Sequence, residues 1–223
     1  MNLTSLEFGA FLSYSPQMNE NFLQRNMEEI QNAKTMMYYL KSDSFLPKPP
    51  ILMSQWVAQM IQQRISTLPF NSFFNSNTIL IPTPSSSLMR PHTLWVPDRL
   101  ATALVNNGLG KEVVRCLKRN VAVRKAAFCA PQDRPTAEQH YETIRVDGVL
   151  SASDEIVLID DIITRGATLI GAANRLLDVF PTARVCAFAA MRTISDSSDF
   201  HHLIEPCKGE ITLRPSGDTI RRP

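Results

Sequence analysis

The pattern along the chain is clearest around Ile156 to Ile159, a short, apolar, β-branched run of the kind that forms a strand buried on both faces of a parallel sheet. Downstream, Leu169, Ala172, Ala173, Leu176, Leu177 and Phe180 recur at helical spacing until Pro181, and Arg184 to Met191 reads as the next strand. Strand, helix and strand in that order predict a right-handed parallel crossover. Upstream, Thr78 to Ile81 predicts another short strand, stopped by Pro82, Thr83, Pro84 and the serines 85 to 87. Residues 98 to 105 predict a helix opening after Pro97, with Leu100, Leu104 and Val105 inward.

The first fifty residues read differently. Phe22, Leu23, Met27, Ile30, Met36, Met37 and Leu40 follow a helical pattern that Pro47, Pro49 and Pro50 break. A second helix is expected from Ser54, as N-cap, to about Leu68, with Trp56, Val57, Met60 and Ile61 on one face as core. Lys111 to Gly148 reads as a basic, irregular, lid-like segment holding Arg115, Lys118, Arg119, Arg124, Lys125, Gln132, Asp133, Arg134, Pro135, Thr136, Gln139 and Arg145. The expectation is thus a helical accessory region over 1–69, an α/β core with a Rossmann-like parallel sheet over 70–195, and a tail over 196–223 that forms a hairpin or stays loose.

Composition changes this picture little. The chain has 223 residues and a formal charge of +2, enough to bury a sizeable core and too balanced to imply nucleic acid. No basic stripe with interleaved aromatics is visible, so direct nucleic-acid binding is not expected. Cys116, Cys129, Cys186 and Cys207 lack metal spacing, and His201 and His202 have no second ligand pair. The cysteines read as reduced thiols. With neither a secretory signal nor an apolar run of about 18 residues, the expected location is cytoplasmic and off the membrane. Phe70, Phe73 and Phe74 are read as core, with a patch for a homodimer as the alternative.

The candidate chemistry follows the first strand. Asp160 and Asp161 stand at its C-terminal end, where open α/β sheets bind ligands. After them Ile163, Thr164, Arg165, Gly166, Ala167 and Thr168 make a phosphate-sized loop that opens a helix, so backbone N–H groups and threonine hydroxyls converge on an anion. An acidic pair after a strand also occurs in phosphate-receiver and nucleotidase-like sheets. Thr83, Ser85, Ser86, Ser87 and Arg90 form a second donor-rich loop, suited to a diphosphate; a plain polar turn is the alternative.

The stretch VLIDDIITRGATL resembles the signature of the type I phosphoribosyltransferases, and ILIPTPSSSLMR resembles the diphosphate loop of their ComF-like branch. KRNVAVRKAA through RPTAEQHYETIRVDG is similar, at lower stringency, to that branch's basic segment. The family's aromatic-asparagine piece is not recognisable near Thr93 to Asp98. The resemblance covers about residues 78 to 192. It implies that 5-phosphoribosyl 1-diphosphate (PRPP) binds with Mg²⁺ held mainly by the substrate, with Asp160 and Asp161 as further ligands. Asp160, Asp161 and Arg119 form the implied catalytic set: the acids on the ribose hydroxyls, and Arg119, Lys118 or Arg124 closing over the leaving group. Residues 163–168 take the 5′-phosphate, and Thr83, Ser85–Ser87 and Arg90 the diphosphate. The implied reaction is phosphoribosyl transfer to a nitrogen acceptor that the sequence does not name. The alternative is a catalytically silent PRPP- or nucleotide-binding regulator tied to DNA uptake or defence.

Overall fold

Residues 1–16, 20–125, 129–130, 133–148 and 155–223 are described by a computed structural model, with the backbone alone over 20–26. Gln132 and the side chains of Phe22 and Leu23, all named above, lie outside the described residues.

Alternation along the central strand generates three layers. Strand β6 (Glu155–Ile163) turns Ile156 and Leu158 to one side and Val157 and Ile159 to the other, all of them buried. A strand buried on both faces needs helices over both. On one side lie α1 (Glu20–Ser42), α2 (Met53–Arg64) and α3 (Val96–Asn106), contributing Leu40, Val57, Ile61, Leu100 and Leu104 to a core with Phe11 and Phe188. On the other lie α4 (Ala137–Thr143) and α5 (Ala167–Val179), whose Ala137, Leu169, Ala173 and Leu176 meet Phe8, Ile81 and Ala189.

The sheet has seven strands in the order β3 (Glu112–Val113), β2 (Ile79–Pro82), β6, β7 (Arg184–Thr193), β1 (Ser5–Tyr14), β8 (Ile204–Leu213), β9 (Thr219–Arg222). The first five are parallel; at one edge β8 pairs antiparallel with β1 and β9 antiparallel with β8. An α/β fold with a mostly parallel, Rossmann-like sheet flanked by helices is therefore present. In register, Pro82 pairs with Ile159, Ile163 with Arg192 and Tyr14 with Thr193. The C-terminal ends of β2, β6, β7 and β1 thus open onto one edge of the sheet.

Some local expectations hold and others change. The N-terminal section does carry helices, but Ser5–Tyr14 is a strand between β7 and β8 at the heart of the sheet. The tail forms the β8–β9 hairpin on β1. Ser54 lies inside α2 and does not cap it. The carboxylate of buried Asp43, the residue that follows α1, accepts the Ser54 N–H at 2.8 Å, and its other oxygen meets Arg99 of α3 at 3.2 Å. A distant cap replaces a local one and ties three helices together. The basic segment is not irregular throughout: β4 (Leu117–Arg119) and β5 (Ile144–Val146) form an antiparallel ribbon, and α4 returns the chain behind it. Thr136 and Gln139 make a reciprocal capping box at the start of α4. Phe70, Phe73 and Phe74 are core, with Phe70 and Phe74 packed on Phe188 at ring separations of 5.3 and 5.4 Å. The four cysteines are free.

Candidate functional site

Two loops meet because the strands that carry them are neighbours. The loop leaving β2 starts at Thr83, whose N–H bonds Ile159 O at 2.9 Å. Its hydroxyl donates to the Asp160 carboxylate. The acidic pair is still within β6 rather than beyond it. Asp160 accepts the Asp161 N–H at 2.9 Å and Asp161 the Ile162 N–H at 2.8 Å, so one oxygen of each carboxylate is held by the amide of the following residue. Asp160 is half-buried; desolvation, then the adjacent Asp161 charge, holds its pKa well above the usual carboxylate range, with the Thr83 hydroxyl opposing. A cation or a pair of sugar hydroxyls arriving here would relieve that penalty.

Beyond β6 the backbone turns through Gly166, which has φ +85° and opens α5. Only glycine enters this conformation freely. The first amides of any α-helix have no acceptor within the helix, so those of α5 form a positive rim beside the Thr168 hydroxyl. Ile163 is buried in the core, so only its backbone is available to a ligand. Thr164 is exposed, and Arg165, Ala167 and Thr168 are half-buried.

The C-terminal hairpin supports this loop from below. Arg221 donates from Nε to Thr164 O at 2.9 Å and from Nη2 to Thr193 O, and Arg165 meets Asp218 at 3.3 Å. A methyl group at Gly166 would fall 2.7 Å from two carbons of Ile211. The guanidinium of Arg221 is pushed down to about 10 by burial, with Arg192 adding to the effect. Arg192, at the end of β7, is itself buried, donating to Ser13 Oγ at 2.9 Å and pairing with Glu205 at 2.9 Å.

The serine loop is tied to the ribbon. Ser85 Oγ accepts the Ser87 N–H at 3.3 Å and lies 3.1 Å from Ser87 Oγ. Ser86 O accepts the Val123 N–H at 2.8 Å, and Trp95 Nε1 donates to Thr83 O at 2.7 Å. Ser85 and Ser86 are half-buried, Ser87 and Arg90 exposed.

Arg119 does not hang over the site as the sequence suggested. It is 8% exposed, and its guanidinium donates to Ser85 O at 2.6 Å, Thr143 Oγ1 at 2.7 Å and His140 Nδ1 at 3.1 Å. Burial holds it down to about 10. A cation so engaged organises the loop from behind. Lys118 pairs with Asp147 at 3.2 Å, and Arg124 and Lys125 are exposed.

Three residues of this site escape the sequence reading: His140, Arg192 and Arg221. For His140 a signal exists, because T-x-x-Q over 136–139 is a helix-start signature that would have put a helix, and hence an inward face, where a lid was expected. Arg192 and Arg221 have none, since their partners (a hydroxyl, two backbone carbonyls and the Glu205 carboxylate) are brought to them only by the pairing of strands and the packing of loops. Among the described residues no cluster of three or more metal-ligating side chains occurs, and no helix is long and apolar enough to cross a membrane. No protein-family model matches the chain, and no curated protein matches it at a significant level.

Proposed function

We propose that the protein binds PRPP at the C-terminal edge of its parallel sheet and transfers the phosphoribosyl group to a nitrogen acceptor. One observation carries the reading: an acidic pair at the end of β6 lies between two anion-suited loops, Ser85–Ser87 after neighbouring β2 and Thr164–Thr168 at the start of α5. A ligand with a diol between two phosphate groups suits that order of donors. In this reading Asp160 and Asp161 take the ribose hydroxyls, the α5 amides with Thr168 the 5′-phosphate, and the serine loop with Arg90 the diphosphate.

In the reaction the bond from C1 to the diphosphate oxygen breaks and its electron pair leaves with diphosphate. The acceptor nitrogen supplies the pair for the new C1–N bond and then loses a proton. The sugar passes through an oxocarbenium-like state, so catalysis rests on holding both phosphate ends and on anionic carboxylates near the developing charge. The two carboxylates are hard oxygen donors, suited to Mg²⁺ beside a diphosphate. When bound, that ion would offset charge on the departing diphosphate, with Asp160 and Asp161 as its protein ligands.

Calorimetric titration of PRPP with and without Mg²⁺ tests the reading, with diphosphate release assayed on the same samples against a panel of nitrogen bases. Mg²⁺-dependent binding that Asp160→Asn and Asp161→Asn abolish is expected; unchanged binding in both variants overturns it. A second reading, PRPP binding without turnover, is favoured by the position of Arg119, whose charge is spent on Ser85, Thr143 and His140 rather than aimed at a leaving group. Binding with no diphosphate release from any acceptor would select it.

A further inference from the structure

His140 is a buried histidine for which the proposed chemistry has no use, and its two ring nitrogens touch two different parts of the site. Nδ1 lies 3.1 Å from Arg119 Nη2 and Nε2 lies 3.3 Å from Thr168 Oγ1. A guanidinium can only donate, so Nδ1 must accept. The ring is neutral: burial and then the Arg119 charge push its pKa down to about 3. The single ring proton therefore sits on Nε2 and is donated to the Thr168 oxygen. A hydroxyl that accepts from behind has its own proton left to donate forward.

Packing makes this contact possible. On α5, Gly171 is one turn after Thr168, and a methyl group there would come within 2.7 Å of Ala137 O and of His140 Cβ. Glycine lets α4 lie directly on α5. Arg175, a turn further on, donates to Tyr141 O at 3.1 and 2.8 Å and stacks 3.9 Å from the Tyr141 ring centre, locking the two helices together. On the other side, the same Arg119 holds Ser85 O at 2.6 Å.

We propose that Arg119 and His140 form a buried positioning relay, which aims the Thr168 hydroxyl at the phosphate seated on α5 and links that seat to the serine loop. The inference rests on the phosphate-site reading above. Neither residue touches ligand. A single buried cation stands behind both anion loops, so a bisphosphorylated ligand meets donors already oriented at each end.

The test is titration of ribose 5-phosphate into the wild-type protein, His140→Phe, His140→Gln, Thr168→Val and the His140→Phe/Thr168→Val double variant. A hydrogen bond to a charged group predicts about tenfold weaker binding for His140→Phe and for Thr168→Val. The double variant should be no weaker than the poorer single, and His140→Gln, whose amide nitrogen can take the place of Nε2, should recover part of the loss. Effects that multiply to about a hundredfold would overturn the relay, as would wild-type affinity in His140→Phe. A purely structural role for His140 would give multiplying effects. Wild-type protein that fails to bind ribose 5-phosphate would overturn the site reading itself, and the relay with it. Nitrogen-15 spectra of the histidine rings in unmutated protein give an independent readout: a neutral Nε2–H tautomer for His140 from pH 5 to 8 is expected, and an imidazolium or an Nδ1–H tautomer refutes the relay.

Discussion

Gly166→Ala is the sharpest probe of how the loop between β6 and α5, the proposed phosphate seat, is built, because two separable penalties meet at one atom. The first is backbone: φ is +85°, and a left-handed conformation costs an L-residue about 1–2 kcal/mol. The second is space. The new Cβ would lie 2.7 Å from Cδ1 and Cγ2 and 2.9 Å from Cγ1 of Ile211, a fully buried side chain with little room to yield. Overpacking of this kind costs about 1–3 kcal/mol. The sum, about 2–5 kcal/mol, is a large part of the roughly 5–15 kcal/mol that stabilises an ordinary domain. Urea unfolding measures it, and Ile211→Ala separates the parts. That variant alone should lose about 2–5 kcal/mol, but in its background Gly166→Ala should cost only the backbone share. PRPP binding should fall in every variant carrying the Gly166→Ala substitution, since the turn that aims the α5 amides is altered. A cost below about 1 kcal/mol, or an equal cost with and without Ile211, would refute the account of the loop as a left-handed turn seated on β8.

Asp160→Asn should raise stability at pH 7 by about 0.5–2 kcal/mol while abolishing ligand binding, because it removes a charge whose pKa is raised by desolvation and by Asp161; thermal unfolding and PRPP titration of the same sample check both halves. His140 makes stability pH-dependent with a definite sign. Its imidazole titrates near 6.5 when unfolded and near 3 when folded, so the unfolded chain takes up the proton first as pH falls. The contribution is complete above about pH 6.5 and is lost below it by up to about 1.36 kcal/mol per pH unit. Asp160, with a raised pKa, acts in the opposite sense, its penalty growing as pH rises above about 3.9. The difference in urea midpoint between wild type and His140→Gln, followed from pH 7 to 4.5, isolates the histidine; a constant difference would contradict its burial as a neutral ring. Arg221→Gln should speed amide hydrogen exchange over Thr164–Thr168 about tenfold, from the loss of about 1.4 kcal/mol in two carbonyl contacts, with β6 and β7 unchanged; exchange at the wild-type rate would mean that the hairpin does not hold the loop.

Local chemistry made much of this protein legible before any contact was known. Ile156–Ile159 and Thr78–Ile81 carry their strands because short β-branched runs fit a pleat buried on both faces. Leu169 to Phe180 announces α5 by helical spacing, and the order of Asp160, Asp161, Gly166 and Thr168 marks an anion-suited loop at a strand end. These are short-range facts: periodicity, turn chemistry and the neighbours of a glycine.

What the chain alone left open is decided across the sheet. Ser5–Tyr14 alternates polar and apolar only from Ser5 to Phe8 and then runs small or apolar to Leu12, too short a period to separate strand from buried helix; pairing with β7 and β8 makes it a strand. Arg119 looked like a free cation in a basic segment until the β4–β5 ribbon turned it inward to Ser85 and His140. His140 meets Thr168 across 28 residues because Gly171 lets two helices touch. Sequence spacing specifies which groups one element can present, whereas the direction a charged side chain faces, and the partner that fixes its proton, depend on packing between elements far apart in the chain.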